Sequence, residues 1–300
     1  MTTEDTPKDP TSTIEIPSQS PLFHSIHLPR YDRQSQIRKI EEVTGRRLIA
    51  YVAGPATSIG SADIPPFVDL LSDVDRGSDL DLLLHTPGGD VDQAERIVTM
   101  CRTKIGADAR FRVIVPDSAK SAGTLIALAS DEIVMGYCSE LGPIDPQIFI
   151  NTKNGETMAR PATSFLDGLD EIIASVGTGT LSPAYFPLLD KLDPALIDFC
   201  KKAIARSERF ATEFLAKYML AGDPAKAAAV AQFFNDQKKH LSHGAAINAD
   251  LAAQQGLKIT YLEPESDLWN AYWMLYVQMR LTWQNTGQRL FESRKTSLLL

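Results

Sequence analysis

Short apolar runs alternate with amphipathic helical patterns between residues 47 and 142, and this alternation constrains the fold of the 300-residue chain more than any other feature. Apolar runs of this length, separated by helical segments, are typical of strands that are joined by helices into a largely parallel sheet. The predicted strands are Arg47–Ala53, Leu80–His85, Phe111–Val115 and Glu132–Met135. The sequence therefore predicts an α/β fold.

Three helices are predicted around these strands. Apolar residues recur at helical spacing between Val91 and Ile105, which predicts a helix that packs one face on the sheet. Residues 125–129 are apolar nearly all round, so their helix is predicted to be buried. A polar helix is predicted over residues 32–44, because Gly45 suits the left-handed conformation that ends many helices.

Composition divides the chain into three parts. Residues 1–21 are rich in Thr, Ser and Pro, which predicts a disordered arm because little apolar burial offsets the entropy of ordering. Residues 22–160 form the predicted α/β core. Residues 161–300 form its α-rich C-terminal part, with helices expected over residues 194–221, 224–235, 248–255 and 267–286.

Charge and composition argue against several classes of protein. The formal net charge of -8 opposes attraction to phosphates, so we expect no nucleic-acid partner. The three cysteines lack the spacing of a disulfide framework or a thiolate zinc site, which is typical of a cytoplasmic protein. No stretch approaches the roughly 18 apolar residues of a membrane span. We therefore expect a cytoplasmic chain without a membrane span.

Two loops rich in small residues follow predicted strands and are expected at the same edge of the sheet. One comprises residues 85–90 and the other residues 116–124. Ligands of open α/β sheets bind at this edge. Gly88 and Gly89 permit backbone conformations that expose N–H groups to an anionic oxygen, as an oxyanion hole requires.

Ser121 lies among small residues at the predicted start of the buried helix. Unpaired N–H groups and the helix dipole favour developing negative charge at this position, so a hydroxyl nucleophile suits it. The residues also fit a structural interpretation. Serine is a common helix N-cap, and a Gly-Gly pair after a strand is often an ordinary turn.

Residues 85–89 and 115–136 resemble the serine dehydrogenase proteinase family. That family belongs to the wider Clp-protease/crotonase fold group, near the signal-peptide-peptidase A-type serine peptidases. Residues 141–147, 243–257 and 269–276 extend the resemblance. It implies a ClpP/crotonase-like ββα spiral with an α-rich C-terminal half.

The resemblance also implies an activity. Ser121 would be the nucleophile of a serine peptidase that acts on proteins or peptides. The backbone N–H groups of Gly88 or Gly89 and of Ala122 would hold the oxyanion, and neither a metal nor a cofactor is needed. Relatives of this fold assemble into rings or trimers, so a homo-oligomer is expected, for which the aromatic stripe near residues 269–283 offers one interface.

The sequence offers three candidates for the general base. No histidine lies between Ser121 and His240, so a Clp-type triad is absent as such. A desolvated lysine is one alternative. Lys201 flanks the apolar stripe of a predicted helix and is the better candidate for a buried lysine, although a lysine in such a place more often extends its amine to the surface. Lys120 would have to curl back toward its neighbour Ser121. His243 is the third candidate, either as base or as a structural histidine.

Two other functions are compatible with the same pattern. In a crotonase-like acyl-CoA enzyme, the two backbone amides would polarise a thioester carbonyl. Glycine usually stands at the place of Ser121 in such enzymes, and the chain shows no basic cluster for coenzyme A. The other alternative is a catalytically inactive scaffold that keeps the serine without its base. His240 and His243 have HxxH spacing, but a third zinc ligand is missing.

Overall fold

The computed structural model describes residues 20–151, 155–179, 182, 185–186, 193–284 and 287–300. Its strands are β1 (Arg47–Ala53), β2 (Leu80–His85), β3 (Phe111–Val115), β4 (Ser118–Ala119), β5 (Glu132–Met135), β6 (Glu140–Leu141), β7 (Gln147–Asn151), β8 (Thr157–Pro161), β9 (Ile259–Tyr261), β10 (Arg289–Ser293) and β11 (Ser297–Leu299). Its α-helices are α1 (Pro21–Thr44), α2 (Ile64–Ser72), α3 (Val91–Ile105), α4 (Ala122–Leu128), α5 (Ala162–Gly177), α6 (Pro194–Lys217), α7 (Pro224–Asn235), α8 (Gln237–His240), α9 (Ala249–Gln254) and α10 (Asp267–Leu281).

The main sheet of the described chain has seven strands in the order β11-β10-β1-β2-β3-β5-β9. From β1 to β9 the neighbouring strands are parallel, whereas β10 and β11 add an antiparallel edge. The predicted α/β class is confirmed, and the four predicted strands have the predicted bounds. They read as continuous apolar runs because both faces of the parallel sheet are covered.

A second layer of short segments lies against the carboxyl ends of the main strands. Strand β4 pairs in parallel with β6, and isolated bridges join Thr86 to Ala119, Ile59 to Gly89 and Leu141 to Ile247. The units that begin with β1, β2 and β3 therefore each consist of a main strand, a short segment of this second layer, and a helix. This repetition is the ββα spiral that the family resemblance implied.

The two faces of the sheet carry separate apolar clusters. On one face, helices α2, α3, α4, α6 and α7 contribute residues such as Phe67, Ile97 and Phe210. On the other face, α1 and α10 pack Ile37, Tyr272 and Tyr276 against the sheet. Much of the aromatic stripe of α10 is therefore core. Of the described helices, none combines the length and apolar character needed to cross a membrane.

Helix α1 is longer than the sequence predicted. It begins at Pro21 rather than residue 32, and Ser20 caps it by accepting a hydrogen bond from the N–H of Phe23 at 3.3 Å. Pro29 lies inside the helix, and an internal proline normally predicts a boundary. The helix ends as predicted, at a left-handed Gly45. The predicted disordered arm otherwise falls on residues 1–19, outside the described part of the chain.

The C-terminal part contains strands that the sequence analysis missed. Strand β10 pairs with β1, and β9 adds the outer parallel strand beside β5. Both are short, and β10 includes two charged residues, so neither reads as a buried strand. Helices α6 and α10 end earlier than predicted, at Lys217 and Leu281. The division into parts at residues 21 and 160 remains a prediction.

Candidate active site

Ser121 occupies a strained backbone conformation between β4 and α4. Its φ of 51° and ψ of -116° lie outside the regions that non-glycine residues ordinarily occupy. It occupies the N-cap position of α4, but its half-buried side chain makes no capping hydrogen bond to the helix. Every residue of α4 is buried, as predicted. A serine on a strained turn from strand to helix resembles the nucleophile elbow of α/β-hydrolases.

Two glycines bring the loop after β2 into close contact with this serine. Gly88 and Gly89 have φ values of 113° and 146°, which side chains other than glycine rarely adopt. A Cβ on Gly88 would lie 2.7 Å from the Cβ of Ser121. A Cβ on Gly89 would lie 2.4 Å from the backbone N of Ile59. Only glycine therefore permits this approach.

The backbone donors around Ser121 differ in their hydrogen bonds. The N–H of Gly88 donates to Thr86 Oγ1 at 3.1 Å, and the N–H of Gly123 donates to the Lys120 carbonyl at 2.7 Å. Within the described part of the chain, the N–H groups of Gly89 and Ala122 have no acceptor. One of these unpaired N–H groups follows Ser121 directly in the chain, and the other belongs to the glycine loop that contacts it.

The amine of Lys120 contacts polar groups of β6 and of the loop that carries His243. Its Nζ forms an ion pair with Glu140 Oε1 at 2.8 Å. It also donates to the carbonyls of Leu141 at 3.2 Å and Ala245 at 3.3 Å. Lys120 therefore joins β4 to β6 and to the loop that carries His243.

Lys201 lies on an exposed face of α6, as the surface alternative predicted, so it is not the buried lysine that a base would require. The buried residues of α6 are Cys200, Ser207, Phe210, Ala211 and Leu215. Phe199 of the same helix is 59% exposed, although it is apolar. The tertiary packing of α6 thus selects which of its apolar residues are buried.

His243 forms a close pair with a buried carboxylate. Its Nδ1 lies 2.8 Å from Asp145 Oδ1, and the side chain of Asp145 is 0% exposed. The other carboxylate oxygen accepts a hydrogen bond from Gln147 Nε2 at 3.0 Å. The sequence analysis did not identify Asp145 as a site residue. Its one signal was its place in the segment 141–147.

Leu141 connects the segments that carry Ser121, Asp145 and His243. It pairs with Ala119 in the β4–β6 ladder, and its N–H and carbonyl exchange hydrogen bonds with Ile247 at 2.9 and 3.0 Å. Ser121 follows Ala119 by two positions. Asp145 lies four residues after Leu141, and His243 lies four residues before Ile247. The second layer thus brings residues from distant parts of the sequence to one edge.

His85 braces the loop that precedes Ser121. Its Nδ1 accepts a hydrogen bond from the Ser118 N–H at 3.3 Å, and its ring packs on Tyr276. Burial lowers the pKa of His85 to about 4, although the carboxylate of Asp117 opposes this shift. The imidazole is therefore neutral near pH 7 and acts as an acceptor.

The HxxH histidines have separate partners. The ring Nε2 of His240 lies 2.7 Å from the Phe233 carbonyl, whereas His243 contacts Asp145. Over the described ranges, no group of three His, Cys, Asp or Glu side chains has an arrangement that could hold a metal ion.

Comparison with known proteins finds a family model and two curated relatives. Residues 27–171 match the family described as ClpP-like SDH-type serine proteinase. The uncharacterized protein MJ1495 of Methanocaldococcus jannaschii is 32% identical over 189 residues, which cover 60% of this chain and 56% of the relative. The uncharacterized protein MJ0137 of the same organism is 49% identical over 69 residues, 23% of each chain. The chain thus spans about half, or less, of the length of these relatives.

The solved structures that resemble this chain include two mutant forms of the 1510-N membrane-bound stomatin-specific protease, one of them in complex with a substrate peptide. Each is 17% identical with a TM-score of 0.36. The alignments cover 77% and 73% of this chain and 98% and 99% of the neighbours.

Proposed function

We propose that this chain is a serine peptidase with Ser121 as its nucleophile, because residues 27–171 belong to the ClpP-like SDH-type serine proteinase family. Its substrates would be proteins or peptides. The observation that carries the proposal is the pairing of Leu141 with Ala119 and Ile247, because it gathers the segments of a serine, a histidine and a buried aspartate. These are the three residue types of a catalytic triad.

In this proposal His243 is the general base and Asp145 orients it. When Nδ1–H donates its hydrogen bond to Asp145, the lone pair of Nε2 is free to accept the Ser121 proton. The freed oxygen attacks the peptide carbonyl carbon, and the imidazolium then gives its proton to the departing amine. Water hydrolyses the resulting acyl-enzyme with the same histidine as base. The buried Asp145 carboxylate stabilises the imidazolium at both stages.

The oxyanion would be held by the N–H groups of Gly89 and Ala122. Both lack an acceptor in the described part of the chain, whereas the N–H of Gly88 already donates to Thr86. Preorganised backbone donors of this kind typically contribute about 3 kcal/mol each to the transition state. Of the two glycines in the loop, we therefore assign the role to Gly89.

The lysines are less suited to the role of base. A lysine base must be neutral, which requires an apolar, desolvated surrounding. Lys120 is surrounded by the carboxylate of Glu140 and two backbone carbonyls rather than by apolar groups, and Lys201 is exposed on α6. The assignment of the base to His243 is thus supported by contacts as well as by residue type.

We further propose that the peptidase is a cytoplasmic homo-oligomer. The assembly follows from the family resemblance, whereas the location rests on the free cysteines, which fit a reducing compartment. Apolar side chains for an interface are present on the hairpin β7–β8 and on α5, where Phe149, Ile173 and Val176 are more than half exposed. Sedimentation velocity at two protein concentrations tests the assembly, and a monomer at both would contradict it.

Intact mass after reaction with a fluorophosphonate tests the nucleophile. The Ser121 oxygen would displace fluoride from phosphorus, so the wild type should gain a single adduct that Ser121→Ala abolishes. Hydrolysis of a fluorescence-quenched peptide library should depend on Ser121 as well. Absence of an adduct on folded protein would favour the inactive scaffold. Hydrolysis of an activated ester without any peptide cleavage would contradict the peptidase.

Substitutions of the proposed base and its partner separate the candidates. His243→Gln and Asp145→Asn should each lower kcat/KM by about a thousandfold or more, since the proton acceptor or its tautomer is lost. Lys201→Met is the matched control and should leave the rate within twofold of the wild type. A large loss in Lys201→Met with little change in His243→Gln would overturn the assignment.

A further inference from the structure

A buried ion pair lies beside the proposed oxyanion loop, and no step of the proposed mechanism uses it. Arg289 is the first residue of β10, and Asp63 ends a short 3-10 helix, Ser61–Asp63. The Nε of Arg289 lies 2.8 Å from Asp63 Oδ1, in ion-pair contact without the in-line geometry of a hydrogen bond. The side chain of Asp63 is 0% exposed, so its charge depends on this partner.

The pair holds one short segment, residues 58–60, at both ends. Asp63 Oδ2 accepts a hydrogen bond from the Gly60 N–H at 2.7 Å. Arg289 Nη1 donates to the carbonyl of Ser58 at 3.2 Å. Because the arginine and the carboxylate are themselves in contact, the two ends are coupled to each other and to β10.

The middle residue of this segment contacts the glycine loop. The N–H of Ile59 donates to the Gly88 carbonyl at 2.7 Å, and its carbonyl accepts from the Asp90 N–H at 2.9 Å. These two bonds hold the loop on either side of Gly89. The absent side chain of Gly89 permits the contact, since a Cβ would lie 2.4 Å from both the N and the O of Ile59.

The orientation of one peptide group follows from these bonds. The Gly88 carbonyl and the Gly89 N–H belong to the same trans peptide, so they point in opposite directions. When Ile59 binds the carbonyl, the Gly89 N–H must point away from Ile59 and cannot rotate toward it. We propose that Arg289 and Asp63 are positioning residues that, through Ile59, aim the Gly89 N–H as an oxyanion donor. This role rests on the proposed function.

The test combines a structural readout with a kinetic one on the full chain. Arg289→Met removes the ion pair and the hydrogen bond to Ser58. Lys295→Met is the matched control, because Lys295 pairs with Asp73 at 2.8 Å and also joins the β10–β11 hairpin to the end of α2. Arg289→Lys is a milder variant, since a single amine keeps the charge but cannot contact Asp63 and Ser58 in the same fork geometry.

We expect amide hydrogen exchange in residues 86–92 to accelerate in Arg289→Met but not in Lys295→Met. For peptide hydrolysis, kcat should fall about tenfold to a hundredfold with KM within twofold, because the oxyanion forms only in the transition state. Inhibition by a peptide aldehyde, whose hemiacetal oxygen occupies the oxyanion position, should weaken by the same factor. Arg289→Lys should fall between wild type and Arg289→Met.

The outcomes separate the two proposals. If the wild type is active and the Arg289 variants keep its kcat, aldehyde affinity and hydrogen exchange, the positioning role is overturned. The proposal that the chain is a peptidase would still stand. A rise of KM and equal weakening of a non-reactive peptide amide would also overturn it, because substrate binding would then be the property lost. A wild type without Ser121-dependent labelling or hydrolysis would reject both proposals.

Discussion

At the scale of single residues, backbone conformation distinguishes the candidate site from ordinary turns. Ser121 keeps a positive φ without the benefit of a capping hydrogen bond, and strain of this kind persists only where the surroundings impose it. Thr124 contributes to those surroundings, because its Oγ1 donates to the carbonyl of Ala119 at 2.7 Å or of Gly142 at 2.9 Å. The turn is thus held from the helix side and from the glycine side.

Gly89→Ala should lower kcat/KM by at least about a hundredfold, because a Cβ 2.4 Å from Ile59 must displace the loop and its N–H donor. Gly168→Ala is the control: Gly168 lies within α5 with open space around it, so the change should stabilise the protein by about 0.5–1 kcal/mol. Steady-state kinetics and urea unfolding measure the two effects. Full activity in Gly89→Ala would contradict the proposed donor.

At the scale of elements, the second layer is held by few hydrogen bonds, so single side chains matter to it. Strands β4 and β6 are two residues long each, and one residue, Lys120, contacts Glu140, Leu141 and the carbonyl of Ala245. The loop with His243 is therefore attached to the serine segment by a lysine side chain as well as by the bridge at Leu141. This arrangement gives Lys120 a structural role.

Lys120→Met should lower the free energy of unfolding by about 1–2 kcal/mol, because it removes charge-assisted hydrogen bonds from a largely buried amine. Fluorophosphonate labelling of Ser121 should slow but persist. Lys202→Met, which removes an exposed pair with Asp198, should change stability by less than about 0.5 kcal/mol. If labelling disappears in Lys120→Met while the fold is retained, Lys120 rather than His243 is the base.

At the scale of the whole molecule, two buried ionisable groups give stability an optimum in pH. The imidazole of His85 lies at the carboxyl edge of the sheet. Glu292 lies in β10, 0% exposed, where Arg33 of α1 contacts its carboxylate at 2.8 Å. Burial raises the pKa of Glu292 to about 7, although Arg33 opposes the shift. Burial lowers that of His85 to about 4.

The two shifts act in opposite directions. The lowered pKa of His85 means that stability is lost as pH falls from about 6.5 through 4, since the unfolded chain takes up the proton first. The raised pKa of Glu292 means that stability is lost as pH rises from about 4.5 through 7, since the unfolded chain releases its proton first. We expect the dependence of melting temperature on pH, measured from pH 4 to 8, to be flatter on the acidic side in His85→Gln and on the alkaline side in Glu292→Gln. If both variants keep the wild-type dependence of melting temperature on pH, the two groups do not cause it.

Local patterns were enough to predict strands β1, β2, β3 and β5. Their apolar runs and the turn residues that bound them lie within short stretches of sequence. The same windows located Ser121 at the start of a buried helix and the glycines at the end of a strand. Helix α1 and strand β10 were harder. Their positions depend on contacts such as the Arg33–Glu292 pair, whose members lie 259 residues apart.

Sequence patterns predicted the α/β class, the place of Ser121 at the start of a buried helix and the glycine loop, since each depends on residue types within a short stretch of chain. Tertiary packing alone brings Asp145 against His243, 98 residues away, and places Lys201 on an exposed face. It also decided that Arg289 and Asp63 hold Ile59 against Gly88. The physical reason is that a side chain's partner is chosen by how distant segments pack, and many packings are compatible with one local pattern.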